Sequence, residues 1–534
     1  MSGDRTQSGI PLQRFYGPRE VQDLHYERDL NEPGSFPFTR GRSGGDRGGG
    51  TWIQRELSGE GDPVRSNEQL KYLISKGQSG IDVIGDSPTM ACLDPDHPLC
   101  AKAVGTQGVS LCCKEDYLRL FQGIDLGSVT VSGSLPSAFG IAGFYLAARH
   151  QGCDPSRLRG SMVQAPFYCE ECGYAMHMPF DLRLRLTCDS IEFCTQEMPR
   201  FHAFLEDTYY ISEAGLDSVE EMALGLVEIR HVVRELLRKG VDIDSFAPRI
   251  AILLNCRMDF FEEIAKIRAT RRLFARMMRD EFGARDPRSQ AVVITCHTSG
   301  LSLTAQQPVN NIVRGAIEAL ALVLAGVQAI EISAFDEAYR TPSPESHLVA
   351  LRTQQVIHLE SNAGKVMDPL GGSYYVESLT NDLERRVRKM IERIEAMGDP
   401  ALLSDKGWFR SVFENAMERY ARQIREKELL KVGVNIHEIP DEEDTLLKDV
   451  AERKIPPCLD RIERIRKMKG RRDRARIEDA LRAVLETGRA RQENLMRPVI
   501  DAFEAGATMG EIAGVLRMAY DFPYDPLGLM EPPV

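Results

Sequence analysis

Three short stretches put ionisable side chains where chemistry could be done. Tyr209-Tyr210 runs into Glu213-Ala214-Gly215, Cys296-His297-Thr298-Ser299-Gly300 forms the second, and Phe335-Asp336-Glu337-Ala338 the third. A carboxylate such as Glu213 can bind a ligand amide or hydroxyl. It can equally sit at a helix N-terminus, where negative charge is favoured. His297 can serve as an acid, a base or a hydrogen-bond donor, or as a satisfied structural histidine. Cys169-Glu170-Glu171-Cys172 has metal-like spacing, with His177, Cys188 and Cys194 nearby. A structural zinc site takes four ligands, usually from a second such pair. No second pair follows, so no metal is expected and the thiols are read as reduced. There is no Walker-type loop, no GxSxG elbow and no His-Glu-x-x-His helix, which leaves kinase, hydrolase and dehydrogenase readings without support.

The elements that must position these residues follow from hydrophobic period. Apolar runs predict strands over 81–84, 128–132, 161–165, 203–210, 249–254, 291–296 and 329–333. Between them lie amphipathic helices. Residues 218–239 are apolar at Met222, Leu226, Ile229, Val233, Leu236 and Leu237, with Asp217 to cap the start and Gly240 to stop the end. Residues 260–282 and 311–324 repeat that design. The unbroken run Ile250-Ala251-Ile252-Leu253-Leu254 implies burial on both faces, as in a parallel sheet. Seven or eight strand–helix units predict an α/β fold, a (β/α)8 TIM barrel, with a doubly wound open sheet as the alternative. In both, chemistry belongs at the C-terminal ends of the strands, which is where all three stretches fall, together with Cys169 and Cys172.

The chain has 534 residues, 43% apolar and 27% charged, ordinary values for a globular protein. Its net charge of −12 argues against a nucleic-acid surface, and the basic stretch 461–491 reads as a solvated helical face. No run of 18 apolar residues spans a membrane. The polar N-terminus lacks a signal peptide's apolar core, so with twelve cysteines a reducing cytoplasm is expected. Residues 1–60, broken by Pro33, Pro37 and the glycine-rich run 41–50, read as an extended arm. Residues 61–380 read as the barrel, and 381–534 as a helical region.

At these residues the chain resembles the substrate-binding part of the methylmalonyl-CoA mutase family. Tyr209-Tyr210-Ile211-Ser212-Glu213-Ala214-Gly215 is similar to the family's Tyr-His-x-x-Glu-Ala-Gly motif. Pro37-Phe38-Thr39-Arg40-Gly41, Phe246-Ala247-Pro248-Arg249, Thr298-Ser299-Gly300-Leu301-Ser302-Leu303-Thr304 and Asp368-Pro369-Leu370-Gly371-Gly372-Ser373-Tyr374-Tyr375-Val376-Glu377 extend the likeness. Matches run in order from about residue 25 to 515. The resemblance implies an adenosylcobalamin-dependent radical rearrangement of an acyl-CoA, by an isomerase whose substrate enters along the barrel axis while cobalamin covers the C-terminal mouth. It implies cofactor contacts from Glu213, Gly300, Glu337 and Ala338. It places Thr130, Ser132, Ser161, Gly173, Arg249, His297 and Gln328 along the substrate and its carrier. Tyr210 stands where the family has a histidine beside the migrating carbonyl, and becomes the expected catalytic donor.

Departures from the pattern bear on specificity. Gly173 replaces the arginine that reads methylmalonyl-CoA's free carboxylate. Glu56 or Leu57 falls where a substrate-stacking tyrosine belongs, and Val163 and His297 replace glutamines. Glu331 replaces a histidine. Ile84 occupies the position of the aspartate that marks the hydroxyacyl-CoA branch, so that branch is not supported either. The expectation is therefore a catalytic large subunit acting on an acyl-CoA other than methylmalonyl-CoA. Two alternatives remain: a mutase-like subunit with a binding or assembly role, and a mutase for an acyl group on another carrier. No Asp-x-His-x-x-Gly cobalamin loop occurs in these residues. A separate small cobalamin-binding subunit, hence a hetero-oligomer, is expected to supply it.

Overall fold

The computed structural model describes residues 5–44, 52–169, 177–440, 442–446, 448 and 455–533. The fold is α/β and of the (β/α)8 barrel class. Its strands are β1 (Ile53–Gln54), β2 (Leu57–Ser58), β3 (Gly80–Ile84), β4 (Thr130–Ser134), β5 (Arg159–Gln164), β6 (Phe201–Asp207), β7 (Ile250–Cys256), β8 (Val293–Thr298) and β9 (Ala329–Glu331). The chain divides into two compact units. The first comprises Met1–Glu56 and Glu206–Lys454, the second Leu57–Leu205 and Ile455–Val534. Strand β6 carries the chain from the second into the first.

In the first unit β1 pairs with β9, β9 with β8 and β8 with β7, all parallel. All seven residues of β7 are buried, as its unbroken apolar run predicts. The face bearing Ile252, Leu254 and Cys256 turns toward the covering helices, for the Cys256 thiol meets the Glu318 carbonyl of helix Asn310–Ala325 at 3.5 Å. The alternate residues, Leu253 and Asn255, therefore belong to the opposite, inner face. Helix Ser218–Arg238 starts where predicted: the Asp217 carboxylate accepts from the Val219 and Glu220 amides, and Glu220 reciprocates in a capping box.

Helix Phe260–Arg276 buries three arginines. Arg268 pairs with Asp368 and Glu377. Arg271 donates to the Ala325 and Gly326 carbonyls at 2.8 Å each. Arg272 reaches Asn381, Glu384 and, in the N-terminal arm, Thr39. Arg40 also binds Asp368, at 2.9 Å. These contacts tie the arm to the strand–helix scaffold and account for the conspicuous 368–377 motif as structural.

In the second unit β2, β3, β4 and β5 pair in sequence, again parallel. Helix Ser137–His150 is buried along nearly its whole length. Phe503 of the C-terminal helix Met496–Ala505 packs edge-on against both Tyr117 and Phe139, so the last helices belong to this unit's core.

The differences from the predicted elements are local. The strand read over 203–210 ends at Asp207, whose carboxylate accepts from the Tyr210 amide and caps a helix at Thr208–Ser212. The helix read over 260–282 gives way after Arg276 to a π-turn, Met277–Glu281. The basic stretch near 461–491 is two helices, Leu459–Lys469 and Arg474–Ala490, the second capped by Asp473. Strands β1 and β2, two residues each, are too short to show a period. Among the described residues no helix is long and apolar enough to cross a membrane.

Candidate active site

The three chemistry-bearing stretches meet at the C-terminal ends of the first unit's strands. Glu213 follows helix Thr208–Ser212, and each of its carboxylate oxygens is held. Asn255 Nδ2 and Ser299 Oγ donate to Oε1 at 2.7 and 2.6 Å, and the Leu301 amide donates to Oε2 at 2.8 Å. Three donors fix it as a carboxylate acceptor in a set orientation. Gly300 makes the approach possible, since a Cβ there would lie 2.8 Å from Glu213 Oε2. The Glu337 carboxyl accepts from the Ala334 amide at 2.9 Å. Burial raises its pKa, so it holds its proton more tightly than an exposed glutamate. Ala338, beside it, is exposed.

His297 ends β8 on the inner face. It lies opposite Asn255 of β7 and opposite Glu331 of β9. The register of β1 on β9 extends this row to Arg55, which pairs with Glu331 at 2.5 Å. The result is a polar row, Arg55–Glu331–His297–Asn255, across four adjacent strands. Tyr209, not Tyr210, covers it: its ring stacks on the His297 imidazole at 4.6 Å between centroids. Burial and the nearby carboxylates of Glu213 and Glu337 push the Tyr209 phenol far up, which keeps it a neutral hydroxyl. Tyr210 lies on the same helical turn but is 43% exposed. Asp336, beyond β9, accepts from the Ser343 amide at 3.2 Å and so organises the following loop.

At the other ends of the strands the chemistry is cationic. Arg249 precedes β7. Arg42, from the arm, donates to the Ala291 carbonyl at 2.9 Å. Burial, with the charges of Arg249 and Arg288, lowers its pKa. Arg42 and Arg249 are cations of the type that suits an anion such as a phosphate, while Arg288 is paired with Asp286. Gln328 lies at this end too, its amide engaged by the Ile294 amide and the Gly326 carbonyl at 2.9 and 3.2 Å.

In the second unit the Ser132 and Ser161 hydroxyls hydrogen-bond each other at 2.8 Å from adjacent strands. Thr130, two residues earlier, has a buried hydroxyl without a partner. Gly173 and Cys172 lie outside the described residues. Cys169 is buried. The metal-like grouping among the described residues is instead Cys112, Cys113 and Asp116, where Asp116 already pairs with Arg461.

Sequence reasoning missed Asn255, because the predicted strand stopped at 254. Drawn to its end at Cys256, the strand-end rule selects it. It also missed Arg55, on a strand too short to see, and Lys431. The Lys431 ammonium donates to the Leu301 carbonyl beside Glu213, and burial with the charge of Arg314 pulls its pKa down to about 8. Only the tertiary fold brings residue 431 to this place.

A family model described as methylmalonyl-CoA mutase matches residues 5–522. The chain is 34% identical to the 2-hydroxyisobutanoyl-CoA mutase large subunit of Aquincola tertiaricarbonis, over 95% of this chain and 90% of that one. It is 33% identical to methylmalonyl-CoA mutase of Rhizobium meliloti over 96% of this chain and 72% of the relative. It is also 33% identical to the human mitochondrial enzyme, over 96% and 68%. With the family match spanning the arm, both units and every strand, the chain belongs to the methylmalonyl-CoA mutase family and is an isomerase of its acyl-CoA class.

Proposed function

We propose that this chain is the catalytic large subunit of an adenosylcobalamin-dependent mutase that rearranges an acyl-CoA other than methylmalonyl-CoA. The observation that carries the reading is the Glu213 constellation at the strand ends. A carboxylate held by Asn255, Ser299 and the Leu301 amide, with glycine beside it for close approach, suits the polar rim of a large flat cofactor. Glu213, Gly300, Glu337 and Ala338 would hold the cofactor, which when bound supplies radical chemistry that side chains cannot.

The protein's own residues do the rest. The Tyr210 hydroxyl would donate to the oxygen of the migrating carbonyl, with ligand covering its exposed side. Tyr209 and the buried polar row below it keep water from the reacting centre. Arg249, with Arg42, would anchor the phosphates of the carrier. A carboxylate-bearing acyl group would meet Glu331 in this row, with Arg55 already engaged. A separate small subunit, consistent with the name of the large-subunit relative, would bring the rest of the cobalamin site, and the pair would work in the cytoplasm.

The test mixes the chain with a candidate small subunit and adenosylcobalamin, then measures cobalamin affinity by absorbance and thioester turnover by mass spectrometry. Tight binding and turnover by the mixture support the reading. Cobalamin binding without turnover of any thioester would leave a binding or assembly subunit.

A further inference from the structure

The second unit holds a buried arginine whose donors are mostly unused. Arg517, on helix Met509–Ala519, is 2% exposed. Its Nη1 donates to the Tyr524 carbonyl at 3.1 Å. Its Nε and Nη2 are buried and have no hydrogen-bond partner among the described residues. Arg517 lines a cavity of about 170 Å³. The C-terminal tail closes one side of it, with Met530, Glu531 and Pro533 in the lining. Asp525 pins that tail: its carboxylate accepts from the Leu527, Leu529 and Met530 amides at 3.1, 2.6 and 2.9 Å. His97 Nδ1 accepts from the Leu99 amide at 3.3 Å, so Nε2 carries the hydrogen and gives it to Asp525, also at 3.3 Å. The other buried carboxylates of the lining are engaged as well. Asp94 and Asp96 share Lys469 at 2.8 and 2.7 Å, and Glu511 takes both Nη atoms of Arg472 at 2.7 and 2.6 Å. None of them reaches Nε or Nη2 of Arg517.

The Nε and Nη2 hydrogens lie side by side on one edge of the planar guanidinium, the edge that takes the two oxygens of a carboxylate in parallel. A bare anion, however, meets a field of the wrong sign. Asp94, Asp96, Glu511, Asp525 and Glu531 line the cavity against the cations Lys469 and Arg517, with Arg472 behind Glu511. Such a lining favours a molecule that brings a positive charge along with its carboxylate. Asp96 and Glu531 are the least buried of these carboxylates and form an acidic rim. Cys92, Leu93, Met530 and Pro533 supply an apolar remainder. A cavity of about 150 Å³ holds a ring of about six carbons, so the molecule is small. We propose that this cavity is a binding site for a small aliphatic amino acid, its carboxylate on Arg517, its ammonium toward the acidic rim and its side chain against the apolar lining. The inference is independent of the acyl-CoA reading, and every residue it uses belongs to the second unit.

The experiment is calorimetric binding of three probes to the full chain at neutral pH: L-valine, 3-methylbutanoate and 2-methylpropan-1-amine. The second is valine without its ammonium, the third valine without its carboxylate. Expected is an affinity for valine about tenfold or more above that for either half, the range for one hydrogen bond to a charged group. In Arg517→Gln valine affinity should fall about 10- to 100-fold, the range for losing such bonds, and 3-methylbutanoate should weaken with it while the amine is unaffected. An arginine with a structural role alone would lower the melting temperature and leave the ratios among the probes as they were, which would overturn the inference. Asp96→Asn, which leaves Arg517 in place, decides the matter if Arg517→Gln does not fold. It should shrink the preference for valine over 3-methylbutanoate about two- to fivefold, the range for a partly exposed charge pair, and an unchanged preference would count against the site. Equal wild-type affinities for valine and 3-methylbutanoate would make the cavity a site for plain anions. Failure of all three probes to bind folded protein would leave it to ordered water. Either result overturns the inference.

Discussion

The first unit buries charge in two places, and they are finished differently. On helix Phe260–Arg276 each guanidinium meets at least two acceptors supplied by the chain. Arg268 has Asp368 and Glu377, Arg271 two carbonyls, and Arg272 three side chains. In the row Arg55–Glu331–His297 the outer pair is made, and the inner atoms stand 3.9 Å apart. Both clusters are out of water, so both bear a desolvation cost. The arginine cluster acts as a clamp between arm and scaffold. The clamp joins arm to scaffold, whereas the row lies across the strand ends beside Glu213.

Breaking the closed cluster should have the largest effect. Arg268→Met strands Glu377 in the core without its cation and leaves Asp368 to Arg40 alone, and should lower unfolding free energy by about 3–5 kcal/mol, read from urea denaturation. A loss under 1 kcal/mol would mean the clamp is ornamental. On the open side, Tyr210→Phe should slow turnover ~10- to 1000-fold, the range for one lost oxyanion donor, with little change in ligand affinity or melting temperature. Unaltered turnover would return Tyr210 to a packing role.

Gly300→Ala sharpens the contrast further. Its Cβ, 2.8 Å from Glu213 Oε2, must displace the held carboxylate, at about 1–3 kcal/mol for an overpacked site. Cobalamin affinity of the assembled pair should fall by roughly tenfold, and the fold should persist. The smallest effect is a matter of pH. Lys431 has its pKa pulled from 10.5 down to about 8 in the fold. Between those values the unfolded chain binds the proton that the folded chain has lost, so stability rises with pH across that window. Lys431→Gln should flatten that rise in a melting-temperature profile taken from pH 7.5 to 10.5, and an unchanged slope would show that another group governs it.

Much of this was legible in the residues. Seven of the nine strands announced themselves as apolar runs, because strands covered on both faces need little polar patterning. The strand-end rule then picked out Tyr209, Glu213, His297, Gly300 and Glu337 before any coordinates. What escaped has a common cause. Strands β1 and β2 are two residues long, below the reach of any period, and with them Arg55 was lost. Asn255 was lost to a strand end drawn two residues early. The caps were only partly visible: Asp217 could be read as one, but Asp207 ends a strand and starts a helix at the same residue, so periodicity alone ran the strand on through Tyr210. The Arg42 and Lys431 contacts join chain segments 249 and 130 residues apart, which local pattern cannot report. The distinctive 368–377 motif, the easiest to recognise, proved to be part of the clamp rather than of the chemistry.

Strand β7 has a further consequence, one of length. Arg249 stands immediately before it and Asn255, the residue that holds Glu213, six positions later. At about 3.3 Å per residue the strand sets the cationic edge and the reacting edge some 20 Å apart. Under the proposed function the strand is thus a gauge for the substrate. A molecule anchored by phosphates at one edge reaches the chemistry at the other only on a thin arm of that span. A free acid could occupy the reacting edge but not both, and would forgo the remote binding energy that holds the reacting atoms in place. Such loss shows in the rate of reaction as well as in affinity.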